Sequence, residues 1–224
     1  MINMEDVGLC IHRYSPAEQW ILNNINLEVK KDEFVSVIGP NGAGKSSLLK
    51  LIAQEVKPSK GLAEFSYTPE DIGIIFQDPR HGTWEDLTVE ENIRLSLYRR
   101  QDLKLDIPMR LKDFQLDLET KMNLPVHSLS GGQRQALNLL MATISHPKVL
   151  LLDEHTSALD PKTALAVMEM TAKICKNLGI TTVMITHNLQ FAAKYATRIL
   201  VVRDGQITHD VSCQTTEKEL YDLF

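Results

Sequence analysis

The chain has few cysteines and no excess of positive charge. Its three cysteines, Cys10, Cys175 and Cys213, are far apart and odd in number, which indicates neither a disulfide framework nor a metal cluster and fits a reducing compartment. The formal net charge of -5 argues against a general nucleic-acid or acidic-membrane binder, because such a protein needs a basic face. The one adjacent arginine pair, Arg99 and Arg100, is interpreted as part of a solvated helix face.

Long apolar runs are also missing. No stretch of roughly 18 consecutive apolar residues occurs, and residues 1–6 lack the basic region and apolar stretch of a signal peptide. The sequence therefore predicts a chain that neither crosses a membrane nor is exported through a signal peptide. With 224 residues, 43% hydrophobic content and no internal repeat or flexible linker, we expect one domain over residues 1–224.

The apolar pattern predicts an α/β fold. Up to about Phe76, β-branched runs predict a sheet layer that leads into an α/β core, with one helix beginning near Gly44. Later runs separated by helical stretches predict parallel strands with crossover helices, the second beginning at Asp160 and Pro161. The predicted strands are Val7 to Ile11, Ile25 to Val29, Phe34 to Ile38, Ile72 to Phe76, Val149 to Leu152, Thr181 to Ile185, Ile199 to Val202 and a last one after Gln206, followed by a short helix, Thr216 to Phe224.

Strand signals disappear between Thr88 and His127. Thr88 and Glu91 have the spacing of a capping box, and the apolar residues after them suit short helices. We therefore expect residues 88–127 to form a helical subdomain that extends into a helix over residues 130–145, while residues 1–87 and 128–224 form the β layer and the core.

Residues 39–46 match the phosphate-loop pattern G-x-x-x-x-G-K-[ST], between a strand and a helix predicted over Ser47 to Gln54. Small residues let backbone N–H groups face the β- and γ-phosphates of a nucleotide, with Lys45 on those phosphates and Ser46 on Mg²⁺. The predicted nucleotide-binding residues are Gly39, Pro40, Asn41, Gly42, Ala43, Gly44, Lys45, Ser46 and Ser47.

Two carboxylates follow the apolar run that begins at Val149. Asp153 ends the predicted strand and can hold Mg²⁺ through its water shell, while Glu154 is the candidate that polarises an attacking water. An acidic loop after a core strand is the plainer alternative, and the phosphate loop upstream favours the catalytic interpretation.

The pentapeptide Leu129 to Gln133 precedes a helix with good apolar periodicity. Ser130 and Gln133 have the spacing of a capping box, while Gly131 and Gly132 leave the first N–H groups of the helix uncovered. This is a second anion-binding helix terminus, although only one nucleotide site can be built around Lys45.

Together these motifs resemble the ATP-binding cassette (ABC) ATPases, the motor subunits of ABC transporters, over nearly the whole chain. The resemblance implies an α/β fold with a phosphate-loop (RecA-like) core, a mainly parallel sheet, an N-terminal antiparallel β layer and the inserted helical subdomain. It also implies a head-to-tail homodimer in which Ser130, Gly131, Gly132 and Gln133 of one subunit close on the γ-phosphate held by the other.

The same resemblance assigns further site residues. Gln77 would reach Mg²⁺ and sense the γ-phosphate, and His187 would contact the γ-phosphate and the catalytic glutamate. Tyr14 lies near the place of the aromatic residue that stacks on adenine. Trp20, which is closer to the phosphate loop, is the other candidate, and core packing is open for both. His155 stands where most members carry proline, and an outward or hydrogen-bonded side chain is favoured over one that perturbs the base.

The resemblance implies a cytoplasmic ATPase that is peripheral on the inner face of a bacterial membrane and powers an importer of a small organic solute. Its partners would be a second copy of itself, permease subunits and, indirectly, an extracytoplasmic solute-binding protein, with no nucleic acid. The phrases Phe76 to Pro79 and Leu151 to Ala164 look similar to importer ATPases working with binding proteins implicated in aromatic amino acid uptake. A permease helix would rest against Asp78 to Leu87, with Trp84 as a contact.

Two alternatives belong to other classes. A soluble ABC ATPase could remodel a protein complex, as in iron-sulfur cluster assembly. A non-catalytic nucleotide-gated scaffold would be expected to lack Lys45, Glu154 or His187, and all three are present.

Overall fold

The structure is a computed structural model that describes residues 1–12, 17–97, 118–212 and 217–223. The strands in this part of the chain are β1 (Ile2–Ile11), β2 (Gln19–Val29), β3 (Phe34–Ile38), β4 (Lys60–Phe65), β5 (Ile72–Ile75), β6 (Val149–Asp153), β7 (Thr181–Ile185), β8 (Arg198–Arg203) and β9 (Gln206–Ser212). The helices are α1 (Lys45–Ile52), α2 (Val89–Ser96), α3 (Gly131–Thr143), α4 (Pro161–Leu178), α5 (Leu189–Tyr195) and α6 (Glu217–Asp222).

Two sheets form the framework. The smaller sheet is antiparallel with the order β2-β1-β4, which confirms the predicted N-terminal antiparallel layer. The larger sheet has the order β5-β6-β7-β3-β8-β9, in which only β9 runs antiparallel to its neighbour. The predicted α/β fold with a mainly parallel core sheet is therefore confirmed.

β1 and β2 are longer than predicted. Register shifts interrupt their pairing, and Asp6 and Asn24 have positive φ angles at these irregularities. Because a bulge breaks the alternation of apolar and polar residues, the sequence pattern shows only part of each strand. β4 was not predicted at all.

Side chains alternate between two hydrophobic cores on the two faces of the large sheet. On β6, Leu150 and Leu152 face the core built with α3, α4 and α5, whereas Val149 and Leu151 face the core built with α1 and the antiparallel layer. Because helices and the antiparallel layer cover both faces of the sheet, the sequences of the parallel strands are continuous apolar runs. Their carboxyl ends meet at one edge of the sheet, where ligands of such sheets bind.

The predicted caps of three helices are confirmed. Thr88 and Glu91 form a capping box before α2, Ser130 and Gln133 form one before α3, and Asp160 caps α4 with Pro161 in its first turn. Short 3₁₀ turns lie at Leu118–Lys121 and Val126–Ser128, between α2 and α3.

In the described residues, no helix is long and apolar enough to span a bilayer. Several predicted features lie wholly or partly outside the described residues: Tyr14, the Arg99–Arg100 pair, Cys213, part of the helical segment from Leu103 to Leu124, and both ends of the helix from Thr216 to Phe224.

Candidate active site

The phosphate loop joins the carboxyl end of β3 to α1, which begins at Lys45, two residues before the predicted start. Gly44 is the N-cap residue with φ 101°, and Gly39 approaches the carbonyl of Val202 so closely that a Cβ there would lie 2.1 Å from its oxygen. Only glycine fits such positions without strain. Gly44 has no side chain to cap the helix, so the first N–H groups of α1 are left for an anionic ligand.

Lys45 occupies the interior of this loop. Its Nζ donates hydrogen bonds to the carbonyl oxygens of Gly39 at 2.8 Å and Pro40 at 2.9 Å. Burial lowers the pKa of the Lys45 ammonium, and the nearby carboxylates of Glu154 and Asp153 oppose that shift. The ammonium is therefore bonded to the loop and is near enough to feel the charge of both carboxylates, whereas the side chains of Asn41 and Ser46 are exposed.

Asp153 ends β6, and Glu154 follows it with a positive φ of 48°, a sparsely populated conformation for a non-glycine residue. The Glu154 N–H donates to the carbonyl of Ile185 at 3.0 Å, and its carbonyl accepts from the N–H and the hydroxyl of Ser157, each at 2.9 Å. These bonds hold the strained backbone. Burial, together with the charge of Glu154, raises the pKa of the Asp153 carboxyl against the opposing effect of Lys45.

His187 lies next to Glu154 because β6 and β7 are neighbouring parallel strands. Its Nε2 is 2.9 Å from Oε1 of Glu154. Asn188 then caps α5 by accepting a hydrogen bond from the Phe191 N–H at 2.9 Å. The structure thus brings together two side chains that are 33 positions apart in sequence, and both line a cavity of about 530 Å³.

Gln77 follows β5 and is exposed. It lines a cavity of about 460 Å³ together with Asp153 and Ala158. Gln77 and Asp153, both predicted to approach Mg²⁺, therefore face the same space.

The pentapeptide has the predicted local structure. Ser130 Oγ accepts from the Gln133 N–H at 3.3 Å, and Gln133 Oε1 accepts from the Ser130 N–H at 3.2 Å. A Cβ on Gly132 would lie 2.3 Å from Cγ2 of Thr163, so α3 and α4 approach closely here. Ser130 and Gly131 remain exposed at the start of α3.

The structure describes only one of the two aromatic residues that are candidates for stacking on adenine. Tyr14 lies outside the described residues. Trp20 pairs with Cys10 across the antiparallel sheet, is 42% exposed and has Lys60 Nζ 5.7 Å from its ring centroid.

His155 is buried, and its Nε2 lies 3.3 Å from Thr171 Oγ1. Of the two favoured interpretations of this side chain, the hydrogen-bonded one is confirmed and the outward one is wrong. Desolvation lowers the pKa of His155 to about 4, so the imidazole is neutral.

Sequence reasoning missed several polar residues that organise the site. Gln135 and Asn138 are buried in α3 and bond to the segments after Glu154 and Gln77. Arg134 is buried and pairs with Glu85 at 2.6 Å. All three lie in α3, for which the capping box and the apolar periodicity were the sequence signals, and neither signal identifies which polar residues of a helix are buried.

The comparisons with known proteins agree with this geometry. Residues 22–157 match the family model described as ABC transporter. A tyrosine transport ATP-binding protein of Clostridioides difficile (strain R20291) is 42% identical over 219 residues, which cover 89% of this chain and 86% of the relative. An aliphatic sulfonates import ATP-binding protein of Rhodopseudomonas palustris (strain BisA53) is 34% identical, with 89% of this chain and 71% of the relative covered.

A solved structure gives the same fold. An ATP-binding cassette, described as a dimer in a post-hydrolysis state bound to ADP and Pi, superposes with a TM-score of 0.81 at 28% identity, covering 95% of this chain and 99% of that one. The matched family model spans more than half of the chain. The chain is therefore an ATP-binding cassette ATPase and belongs to the ABC transporter family.

Proposed function

We propose that this chain is the ATP-hydrolysing subunit of a bacterial importer of a small organic solute, with an amino acid as the favoured class. The observation that carries the hydrolytic part is the 2.9 Å contact between His187 and Glu154 at the same sheet edge as Lys45. The relative named for tyrosine transport, 42% identical to this chain, supports the solute class.

In the proposed reaction the polar groups of the site bind the phosphates, activate the attacking water and orient the base. The phosphate loop, residues 39–46, and Ser47 bind the β- and γ-phosphates, and Lys45 leaves its two carbonyl partners to contact them. Glu154 accepts a hydrogen bond from the attacking water and raises its nucleophilicity. His187 orients the Glu154 carboxylate and contacts the γ-phosphate, while Gln77 senses it from the neighbouring cavity.

The residues present fit Mg²⁺ as the cofactor. Asp153 is a partly desolvated carboxylate with a raised pKa, so a nearby cation would stabilise its charged form. In the described residues no group of three or more His, Cys, Asp or Glu side chains could hold a metal alone, which fits an ion bound mainly through water and phosphate. Ser46, Gln77 and Asp153 would hold it. When bound, Mg²⁺ neutralises charge on the β- and γ-phosphates.

The active form is a head-to-tail homodimer. Ser130 to Gln133 present an exposed helix start to a ligand, and a Cβ added at Gly131 or Gly132 would meet the side chain of Leu159 or Thr163. A second copy supplies the nucleotide that this helix start requires, giving two composite sites related by two-fold symmetry. The solved dimer of a cassette with the same fold supports this arrangement.

Residues 78–87 form the surface for the permease. Trp84 is 59% exposed, while its N–H and carbonyl are both bonded to the buried side chain of Asn92. A rigidly held, exposed tryptophan suits contact with an apolar partner helix. Through the permease, the subunit lies at the inner face of the membrane and responds indirectly to an extracytoplasmic solute-binding protein.

The proposed organisation is one domain over residues 1–224. Residues 1–87 and 128–224 form the β layer and core, and residues 88–127 form the helical subdomain that continues into the helix of residues 130–145. Tyr14 stays the proposed adenine contact.

The alternative, a soluble ATPase that remodels a protein complex, is not favoured by the transport and import names of the relatives. Affinity purification of the tagged chain from membranes solubilised in mild detergent tests the transport role. We expect a polytopic membrane protein to co-purify in stoichiometric amount. Recovery with soluble partners alone would overturn the transport role. The ATPase activity does not depend on this result.

A further inference from the structure

The buried side chain of Gln135 joins α3, the helix that begins in the pentapeptide, to the loop after β6 that carries Glu154 and His155, here called the catalytic loop. Gln135 lies in α3, two positions after Gln133, and is 1% exposed. Its Nε2 donates a 2.7 Å hydrogen bond to the carbonyl oxygen of His155, the residue that follows Glu154. One side chain therefore connects the helix that begins at the pentapeptide to the backbone next to the proposed base.

The same helix also contacts the segment after Gln77. Asn138 Nδ2 donates to the carbonyl of Pro79 at 2.8 Å and lies 3.4 Å from Oε1 of Gln135. The approach is close, since a Cβ on Gly82 would lie 2.4 Å from Asn138 Oδ1. Gln135 and Asn138 thus form a continuous amide chain from the catalytic loop, through α3, to the loop that carries Gln77.

The imidazole of His155 is held separately by α4. Thr171 Oγ1 donates to the carbonyl of Val167 at 2.8 Å, so it accepts from the Nε2–H of His155 at 3.3 Å. The carbonyl of His155 is thereby presented to Gln135, while its ring stays fixed in the core.

Glu154 lies between two fixed points. Its N–H donates to the carbonyl of Ile185 on β7, and the carbonyl of the following residue, His155, accepts from Gln135 on α3. Its positive φ of 48° places it in a conformation that its surroundings must hold. A shift of α3 therefore changes the backbone that aims the Glu154 carboxylate.

We propose that Gln135 is a positioning residue that couples the two nucleotide sites of the dimer. The proposal rests on the head-to-tail dimer proposed above. In that dimer, Ser130 to Gln133 contact the nucleotide of the partner subunit, whereas Glu154 acts on the nucleotide of its own subunit. Gln135 links the two within one chain, so nucleotide closure at one site aligns the base at the other and makes hydrolysis cooperative.

The test variant is Gln135→Met, which keeps a side chain of similar length and removes the donor. We expect the wild-type chain to hydrolyse ATP with a Hill coefficient well above 1 and below the two-site limit of about 2. Gln135→Met should lower the Hill coefficient to about 1 and lower kcat roughly tenfold or more, because a misplaced base loses reactivity. ATP affinity at protein concentrations too low for dimerisation should stay unchanged.

Thr171→Val is the matched control. It removes the partner of the His155 ring, perturbs the same loop and leaves the Gln135 bond in place. We expect lower thermal stability with a wild-type Hill coefficient. If Gln135→Met does not fold, Gln135→Asn serves instead, because it keeps the amide but shortens the side chain by one methylene.

The outcomes separate this inference from the proposed function. A Gln135 variant that is folded and as cooperative as wild type overturns the inference, as does an equal loss of cooperativity in Thr171→Val or a dimerising wild type without cooperativity. If Glu154→Gln with ATP gives no dimer, the proposed dimer itself fails and the inference falls with it.

Discussion

Oε1 of Glu154 and Nε2 of His187 lie 2.9 Å apart at the carboxyl ends of the adjacent parallel strands β6 and β7. The backbone of Glu154 is in turn bonded to Ile185, two residues before His187. The contact therefore depends on the register of the two strands and on few side-chain torsions. A carboxylate oriented in this way is prepared to accept a proton from water.

His187→Ala should lower the ATPase rate roughly 10²- to 10³-fold, because Glu154 loses the group that orients it. ATP affinity should change little, since the phosphate loop is untouched. Steady-state hydrolysis and equilibrium binding of a fluorescent ATP analogue measure the two quantities. His209→Ala, at an exposed position on β9, is the control and should hydrolyse ATP as wild type does. A His187→Ala variant with wild-type kcat would remove His187 from the mechanism.

His155 makes stability depend on pH. Its pKa is about 4 in the folded chain, because of burial, against 6.5 for the unperturbed group. Because the folded-state pKa is lowered, the unfolded chain binds a proton between about pH 6.5 and about pH 4 and the folded chain does not. The stability that depends on neutral His155 is therefore complete above about pH 6.5 and is lost as the pH falls towards about 4. Between about pH 7.5 and pH 5 the loss from this group should be about 2 kcal/mol.

Urea unfolding of the wild type and of His155→Leu at both pH values isolates this contribution. The pKa of Asp153 is raised in the folded chain, so this group adds to the free energy of unfolding as the pH falls, opposite to His155. Both proteins contain Asp153, so its effect cancels in the comparison. We expect the wild type to lose more stability on acidification than His155→Leu. Equal losses would mean that His155 is not the titrating group.

Two ion pairs of equal length should differ in their contribution to stability. Arg134–Glu85 and Arg94–Glu90 both have a shortest distance of 2.6 Å, but the arginine side chain is 10% exposed in the first pair and 68% exposed in the second. Glu85→Ala leaves a buried guanidinium without its carboxylate and should cost about 2 kcal/mol. Glu90→Ala should cost about 0.5 kcal/mol, as for exposed helical pairs. Chemical denaturation measures the free energy of unfolding of both variants. Equal losses of stability would show that burial of the arginine does not set the contribution of the ion pair.

Gly132→Ala should destabilise the chain by about 1–3 kcal/mol, because the new methyl group would overlap the side chain of Thr163. Thr163→Ala in the same chain should restore stability to wild type or above, since alanine is a better helix former than glycine. Gly131→Ala is the comparison and should cost less, because a Cβ there would lie 3.3 Å from its nearest neighbour, Cδ2 of Leu159. Thermal unfolding of the variants tests this, and a double variant as unstable as Gly132→Ala would show that the overlap is not the cause.

Local signals were enough to predict much of the fold. The caps at Thr88, Ser130 and Asp160 depend on residues three positions apart, and each is present as predicted. β4 was missed because Gly61, Ala63 and Glu64 have low β-propensity, and the strand exists through its pairing with β1.

The long-range part of the site could not be predicted in the same way. The sequence placed Glu154 and His187 at strand ends, but their contact depends on which strands are neighbours. The buried amides of Gln135 and Asn138 gave no signal, because their partners are backbone carbonyls 20 and 59 positions away. Nor does any local pattern predict the positive φ of Glu154.

Glu154→Gln in the presence of ATP and Mg²⁺ tests the central claim most directly. The amide keeps the size of the side chain but cannot act as a base, so ATP should bind and remain intact. Light scattering after size exclusion should give twice the monomer mass of 25.3 kDa with ATP, and the monomer mass without it. A variant that stays monomeric with ATP bound, or that hydrolyses ATP at the wild-type rate, would contradict the account.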